Sequence, residues 1–178
     1  RTAAEPFHES LVVESAYRPF FSQVYYADPV FSDRLTGNHV ECFGVDFKRK
    51  SPCFALTAQG ASKAFSALAT KCLADWHFLG DTQLYPLTRT VDGTDADNIT
   101  DWALKQFTAH YVDEIGKGKG ARKITKLAIF HYCYAVLYDP VYREKYAQNL
   151  KREFPRIPFY AGFWRWAEWG EQLMALHI

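Results

Sequence analysis

No Cys-x-x-C pair occurs in this chain: Cys42, Cys53, Cys72 and Cys133 stand far apart, which argues against a zinc ribbon and a redox dithiol. Reduced and mostly buried thiols are expected instead. An excess of charge of one sign is also missing, because 21 Lys and Arg face 20 Asp and Glu. Composition alone therefore does not announce a nucleic-acid binder, and any basic surface must be local. Long apolar runs are missing too. The most apolar stretch, 127–138, is too short and too aromatic to span a bilayer, and no charged segment leading into an apolar one opens the chain. A soluble, intracellular protein is expected. The six His residues are scattered without clustered carboxylates, so no metal site is expected.

What is present is aromatic and apolar mass. The 178 residues are 48% hydrophobic and 17% aromatic, enough for one densely packed domain of ordinary size. The sequence opens on Arg1 without Met and closes on His177-Ile178 directly after an apolar helical pattern, so a segment of a longer protein is expected.

From Leu11 to about Thr90, short aromatic and β-branched runs alternate with turn formers, which is the pattern of a sheet. Strands are predicted at 21–26, 39–47, 53–58, 64–70 and 83–88, with Ser51-Pro52 and Gln59-Gly60 punctuating hairpins. After Asp92 the period changes. Asn98 or Thr100 can cap a helix to about Val112 with Trp102, Phe107 and Tyr111 on its apolar positions. The run Gly116-Lys-Gly-Lys-Gly120 breaks it. Thr125 can cap a second helix through Tyr138 that is apolar nearly all round, as a central helix would be. Asp139-Pro140 starts a third helix with Tyr142, Tyr146 and Leu150 as its stripe. Pro155 and Pro158 end it, and a fourth follows in which Phe159, Phe163, Trp166, Gly170 and Leu173 recur at helical spacing. The fold class is α+β: residues 1–92 form the β-rich part and residues 93–178 the helical part of the same domain.

Three stretches, taken in order, carry a family pattern. The first is Tyr17-Arg-Pro-Phe20 followed by Gln23, Tyr26, Asp28, Phe31 and Arg34. The second runs from Phe65-Ser-Ala-Leu68 through Asp75-Trp-His-Phe-Leu-Gly-Asp-Thr-Gln83 to Tyr85-Pro86. The third holds Ile124-Thr-Lys, Ile129-Phe-His-Tyr, Pro140, Tyr142-Arg-Glu, Asn149-Leu-Lys and Pro155-Arg-Ile-Pro-Phe159. In register, they resemble the C-terminal specificity region of Type ISP restriction-modification enzymes, large bacterial proteins that fuse a helicase-nuclease, an adenine methyltransferase and a target recognition domain. Leu127-Ala128 departs from the acidic residues that relatives tend to carry after the capping Thr.

The resemblance implies a DNA recognition module without a catalytic centre of its own, working in the bacterial cytoplasm. Its implied partners are double-stranded DNA and the methyltransferase and helicase domains of the parent chain. S-adenosylmethionine, ATP and Mg²⁺ would serve the parent, and no cofactor this chain. In keeping with that, the sequence contains no Asn-Pro-Pro-Tyr, no F-x-G-x-G and no G-x-x-x-x-G-K-[ST].

Candidate DNA contacts follow from side-chain chemistry. Lys117, Lys119, Arg122 and Lys123, set among glycines, can track a phosphate backbone or form a solvated linker. Lys48, Arg49 and Lys50 sit at a predicted strand end, where Arg and Lys can read guanine, although a surface turn is the plainer role. Arg34 flanks the first motif. Gln83 can read adenine, with turn chemistry as the alternative for Asp81, Thr82 and Gln83. Lys151 and Arg152 make the end of the third helix positive. Trp164, Trp166 and Trp169 are expected to pack rather than stack on bases, and Arg18 and the Asp75-Trp-His77 run to be structural.

Two rivals stay open. One is an interdomain scaffold that does no reading. The other is a Mg²⁺-dependent nuclease using Asp33 and Asp46-x-Lys48 on two strands.

Overall fold

A computed structural model describes residues 6–32, 35–116 and 118–178, the side chain of residue 119 excepted. The described chain begins with a hairpin, β1 (Val12–Arg18) and β2 (Phe21–Tyr26), followed by helix α1 (Gly37–Phe43). Then come β3 (Cys53–Thr57), β4 (Ala67–Thr70), β5 (Leu73–Ala74), β6 (Thr82–Pro86) and a second hairpin, β7 (Thr88–Val91) with β8 (Thr94–Asp97). The rest is helical: α2 (Asp101–His110), α3 (Val112–Ile115), α4 (Lys126–Tyr138), α5 (Pro140–Lys145), α6 (Ala147–Arg152) and α7 (Phe163–His177). The expected α+β class is borne out, with β8 lying just past the expected change at residue 92. No described helix is long and apolar enough to cross a membrane.

Strand β3 is the middle of the molecule. It pairs antiparallel with β4 on one side and β6 on the other, and all five of its residues are buried. A strand covered on both faces loses polar alternation. Phe54 and Leu56 face the helices, while Cys53 and Ala55 face a second core built with α1, β1 and β5. Phe54 stacks on Phe130 of α4 at 4.0 Å and on Tyr134 at 5.2 Å. The Tyr134 hydroxyl accepts from Ala69 N at 2.8 Å, and the Tyr138 hydroxyl donates to Ala67 O, so two side chains of α4 bond the backbone of β4. All four cysteines are free thiols, three of them buried and Cys133 half-buried.

Segment 39–47 is not a strand. His39, Cys42 and Phe43 are the buried residues of α1, an i, i+3, i+4 set that belongs to a helix face. The Thr36 N–H donates to His39 Nδ1 at 3.2 Å, closing a capping box in which His39 occupies the position usual for Glu or Gln. Ser51-Pro52 accordingly leads from a helix into β3 rather than turning a hairpin. Residues 12–18, 89–91 and 94–97, unassigned from sequence, are in strands; in the second hairpin Asp92 and Gly93 both take positive φ, 49° and 77°, the demand of a tight primed turn.

His39 gives the fold a pH dependence. Burial pushes its pKa below the ordinary histidine range, and Nδ1 can accept the cap bond only when unprotonated. The folded state thus disfavours a proton that the unfolded chain takes up below about pH 6.5. The cap's contribution is complete above that value and is lost as acidity rises toward the depressed folded pKa. His131 and His177 shift the same way, also by burial. We expect the urea midpoint to fall between about pH 7.5 and about pH 5.5, and His39→Gln, which keeps the box, to flatten that fall. An equal fall in the variant would contradict the assignment.

Among the helices, Thr100 and Thr125 cap α2 and α4 by accepting from Ala103 N and Ala128 N, each at 3.1 Å. The sequence names Thr125 outright and offers Thr100 beside Asn98. The Asp139 carboxylate caps α5, but the predicted single helix divides at Tyr146, whose ψ of 18° interrupts it before α6. The fourth helix starts later than its stripe suggests. Phe159 lies before it, and Gly162 at φ 81° begins α7 with its N–H and that of Phe163 donating to the Glu114 carboxylate at 2.8 and 2.7 Å. Trp102, expected on the apolar face of α2, is 70% exposed.

Candidate nucleic-acid interface

Where β3 ends and β6 begins, three segments converge: the loop between β3 and β4, the loop leading into β6, and the last turn of α6. Ala58 N donates to Asp81 O at 2.7 Å, and Gly60 N to Lys151 O at 2.8 Å. The loop before β6 is fastened by Trp76 Nε1 to Asp81 Oδ1 at 3.1 Å and Leu79 N to Thr82 Oγ1 at 2.9 Å. Gly80 has φ 79°, and a Cβ built there would meet Lys63 Cδ at 2.7 Å. The Lys63 stem therefore lies across the turn that feeds β6.

This convergence brings Lys63, Lys151 and Arg152 to the end of the sheet that also carries Gln83. All four are exposed. None of the three cations forms an ion pair with a described residue. Gln83 is not loose, because the Tyr85 hydroxyl donates to its Oε1 at 2.7 Å. The Tyr85 ring meets Phe154 edge-on at 5.0 Å, and burial raises its pKa above the ordinary phenol range, so the hydroxyl remains a donor.

The remaining candidates lie elsewhere. Lys48 and Lys50 are exposed at the far end of β3, about 13 Å of strand away. The Lys48 N–H donates to the Asp46 carboxylate at 3.1 Å, and Lys50 pairs with Glu14 at 2.7 Å, lowering the pKa of that carboxyl. Arg49 is turned inward, its side chain 17% exposed. It donates to Glu41 O, Thr88 O, Thr90 Oγ1 and Asp95, tying α1 to the β7–β8 hairpin. Its donors are engaged inside the fold.

Arg122 stacks on Trp164 at 3.9 Å near the start of α7, with Lys123 exposed beside it. Arg34 and Lys117, the Lys119 side chain and Asp33 lie outside the described residues. Arg18 lies 3.9 Å over the Tyr17 ring and pairs with Asp75 at 3.5 Å, the structural role expected for both. Trp164 and Trp166 pack as expected, whereas Trp169 touches Trp166 and is 46% exposed. The two-strand nuclease arrangement has no basis around Asp46, because the segment before it is helical and its carboxylate closes a turn.

One end of the β4-β3-β6 sheet thus gathers a loop lysine, Lys63, two cations from the end of α6 and the strand amide Gln83. The sequence matches the Type ISP C-terminal specificity domain over residues 1–178, and the chain belongs to that family. DrdV, solved by cryo-EM in a DrdV–DNA complex, is 42% identical with a TM-score of 0.88, covering 98% of this chain and 16% of its own. A nuclease-deletion mutant of the Type ISP enzyme LlaGI, in complex with a DNA substrate mimic, shares the fold at 23% identity and a TM-score of 0.77, over 100% of this chain and 15% of its own. So does LlaBIII, an ATP-dependent Type ISP enzyme bound to DNA, at 17% identity and a TM-score of 0.76, over 98% of this chain and 11% of its own. The chain thus spans about a sixth or less of those proteins. No curated protein matches it.

Proposed function

We propose that the chain reads the DNA target of a restriction-modification enzyme, holding the duplex for an adenine methyltransferase carried elsewhere on a longer bacterial protein that acts in the cytoplasm. The observation that carries this reading is the convergence at one end of the β4-β3-β6 sheet of the segments that hold Gln83, Lys63, Lys151 and Arg152, the three cations having no ion-pair partner among the described residues. Phosphate contacts set register and orientation, and base-edge contacts supply sequence. Lys63, Lys151 and Arg152 suit the first task and Gln83 the second. Lys48, Lys50, Arg122 and Lys123 are candidates for flanking phosphate contacts, as are Arg34, Lys117 and Lys119. S-adenosylmethionine, ATP and Mg²⁺ belong to the proposed parent enzyme and not to this module.

Fluorescence anisotropy with duplex DNA over a salt series tests the assignment. Replacing Lys63, Lys151 and Arg152 together by alanine is expected to reduce the slope of log affinity against log salt by about 3, because each neutralised phosphate contributes about 0.9. An unchanged slope would remove the three residues from the interface. A scaffold role keeps one observation in its favour: an apolar cleft of about 390 Å³ between α4 and α7, lined by Tyr138, Pro140, Trp166, Trp169, Leu173 and Leu176. Failure of the unaltered chain to bind any duplex at low salt would favour it.

A further inference from the structure

We propose that Tyr85 holds Gln83 as a preset reader of one adenine in the target duplex, an inference that rests on the DNA-reading function above and names the base. The two side chains stand two apart on β6 and so share a face, while Thr82, Leu84 and Pro86 are buried on the other. That face meets the helical core through Tyr85, since Gln83 pairs across to Leu56 and Tyr85 to Phe54. The Phe154 ring meets the phenol edge-on at 5.0 Å and holds it from that side.

The consequence lies in the amide. A glutamine on an open surface turns over freely, presenting oxygen and nitrogen either way round. Here the Tyr85 hydroxyl, donating at 2.7 Å, keeps Oε1 on its own side. One lone pair of Oε1 is left, and the two N–H groups of Nε2 point away from the phenol. Adenine offers an N6 amino donor beside the N7 acceptor on its major-groove edge, which complements this donor-acceptor pair. Guanine sets two acceptors, O6 and N7, in the same place and would put O6 against Oε1. The fixed amide therefore selects as well as binds. Lys63, whose stem lies across the turn that feeds β6 and which has no ion-pair partner among the described residues, is available for the phosphates beside that base.

Selection from a randomised duplex pool with the unaltered chain, Gln83→Ala and Tyr85→Phe reads the effect. The unaltered chain is expected to enrich a site containing an adenine whose replacement by 7-deazaadenine, which lacks N7, or by purine, which lacks the amino group, weakens binding about tenfold. Gln83→Ala loses the preference at that position alone, and there both analogues bind like adenine. Tyr85→Phe keeps the ring and its packing, and is expected to relax the same position while affinity for bulk duplex stays level. Thermal melting of both variants checks that they are folded.

An enriched site that Gln83→Ala leaves intact, or one where it relaxes a base other than adenine, overturns the inference and leaves DNA reading standing. Relaxation by Gln83→Ala but not by Tyr85→Phe overturns the role of Tyr85. No enrichment by the unaltered chain overturns the proposed function and this inference together.

Discussion

Gly170→Ala is expected to destabilise the chain by about 3 kcal/mol, lowering the melting midpoint by roughly 10 °C. Alanine is the better helix former by about 1 kcal/mol, so the direction is set by packing. A Cβ at Gly170 would stand 1.8 Å from the His131 carbonyl oxygen and 2.5 Å from its carbon. Both atoms are backbone of α4, and no rotamer change relieves them. Helices α4 and α7 must move apart, loosening Phe163, Ala167 and Met174 where α7 enters the core. Calorimetry of the variant is the direct measurement. A midpoint equal to that of the unaltered chain would mean the helices do not cross at Gly170.

Tyr132→Phe should cost about 2 kcal/mol or more, roughly 6 °C in melting midpoint, although it removes a single oxygen. Tyr132 is fully buried, and its hydroxyl joins three segments. It donates to Pro158 O at 2.8 Å and accepts from Tyr160 N at 2.6 Å and Tyr111 Oη at 3.0 Å. Tyr111 keeps a second acceptor in Tyr160 O. The partly buried Tyr160 N–H and Pro158 carbonyl are left without Tyr132, and a shielded polar group that loses its partner costs more than a made bond contributes. The ring itself stays stacked on Phe163 at 5.3 Å, so a variant as stable as the parent chain would show that the hydroxyl is dispensable.

The parts of this fold that sequence exposes are those whose cause is local. Thr100, Thr125 and Asp139 cap by side chain within their own turn, a cause that local spacing displays, with Asn98 the one competitor for the first. The Asp92-Gly93 turn has a local signal in its Asp-Gly pair, but its second strand, Thr94-Asp-Ala-Asp97, is poor in β-branched residues and holds two Asp, so nothing in the pattern marks it as a strand. Segment 39–47 is ambiguous by pattern, and what makes it helical is tertiary, namely the core that buries His39, Cys42 and Phe43.

The candidate site divides in the same way. Lys151, Arg152 and Gln83 were visible as a charged helix end and a polar strand residue. Their convergence depends on the Gly60–Lys151 backbone bond, which no spacing announces. Lys63 carries no signal in its own neighbourhood, because what places it is the turn at Gly80. Arg49 shows the converse: a basic run reads as surface, yet its middle residue is the tie between a helix and a hairpin.

Strand β3 takes one core on each face, with Phe54 and Leu56 toward α4 and Cys53 and Ala55 toward α1 and β1. A chimera that takes the β-rich half from one relative and the helical half from another would have to refit the Phe54–Phe130 contact and the Tyr134 and Tyr138 bonds to β4 across the seam. Under the proposed reading role, moving the loops and side chains at the end of the sheet leaves that seam intact, and so does moving the whole unit.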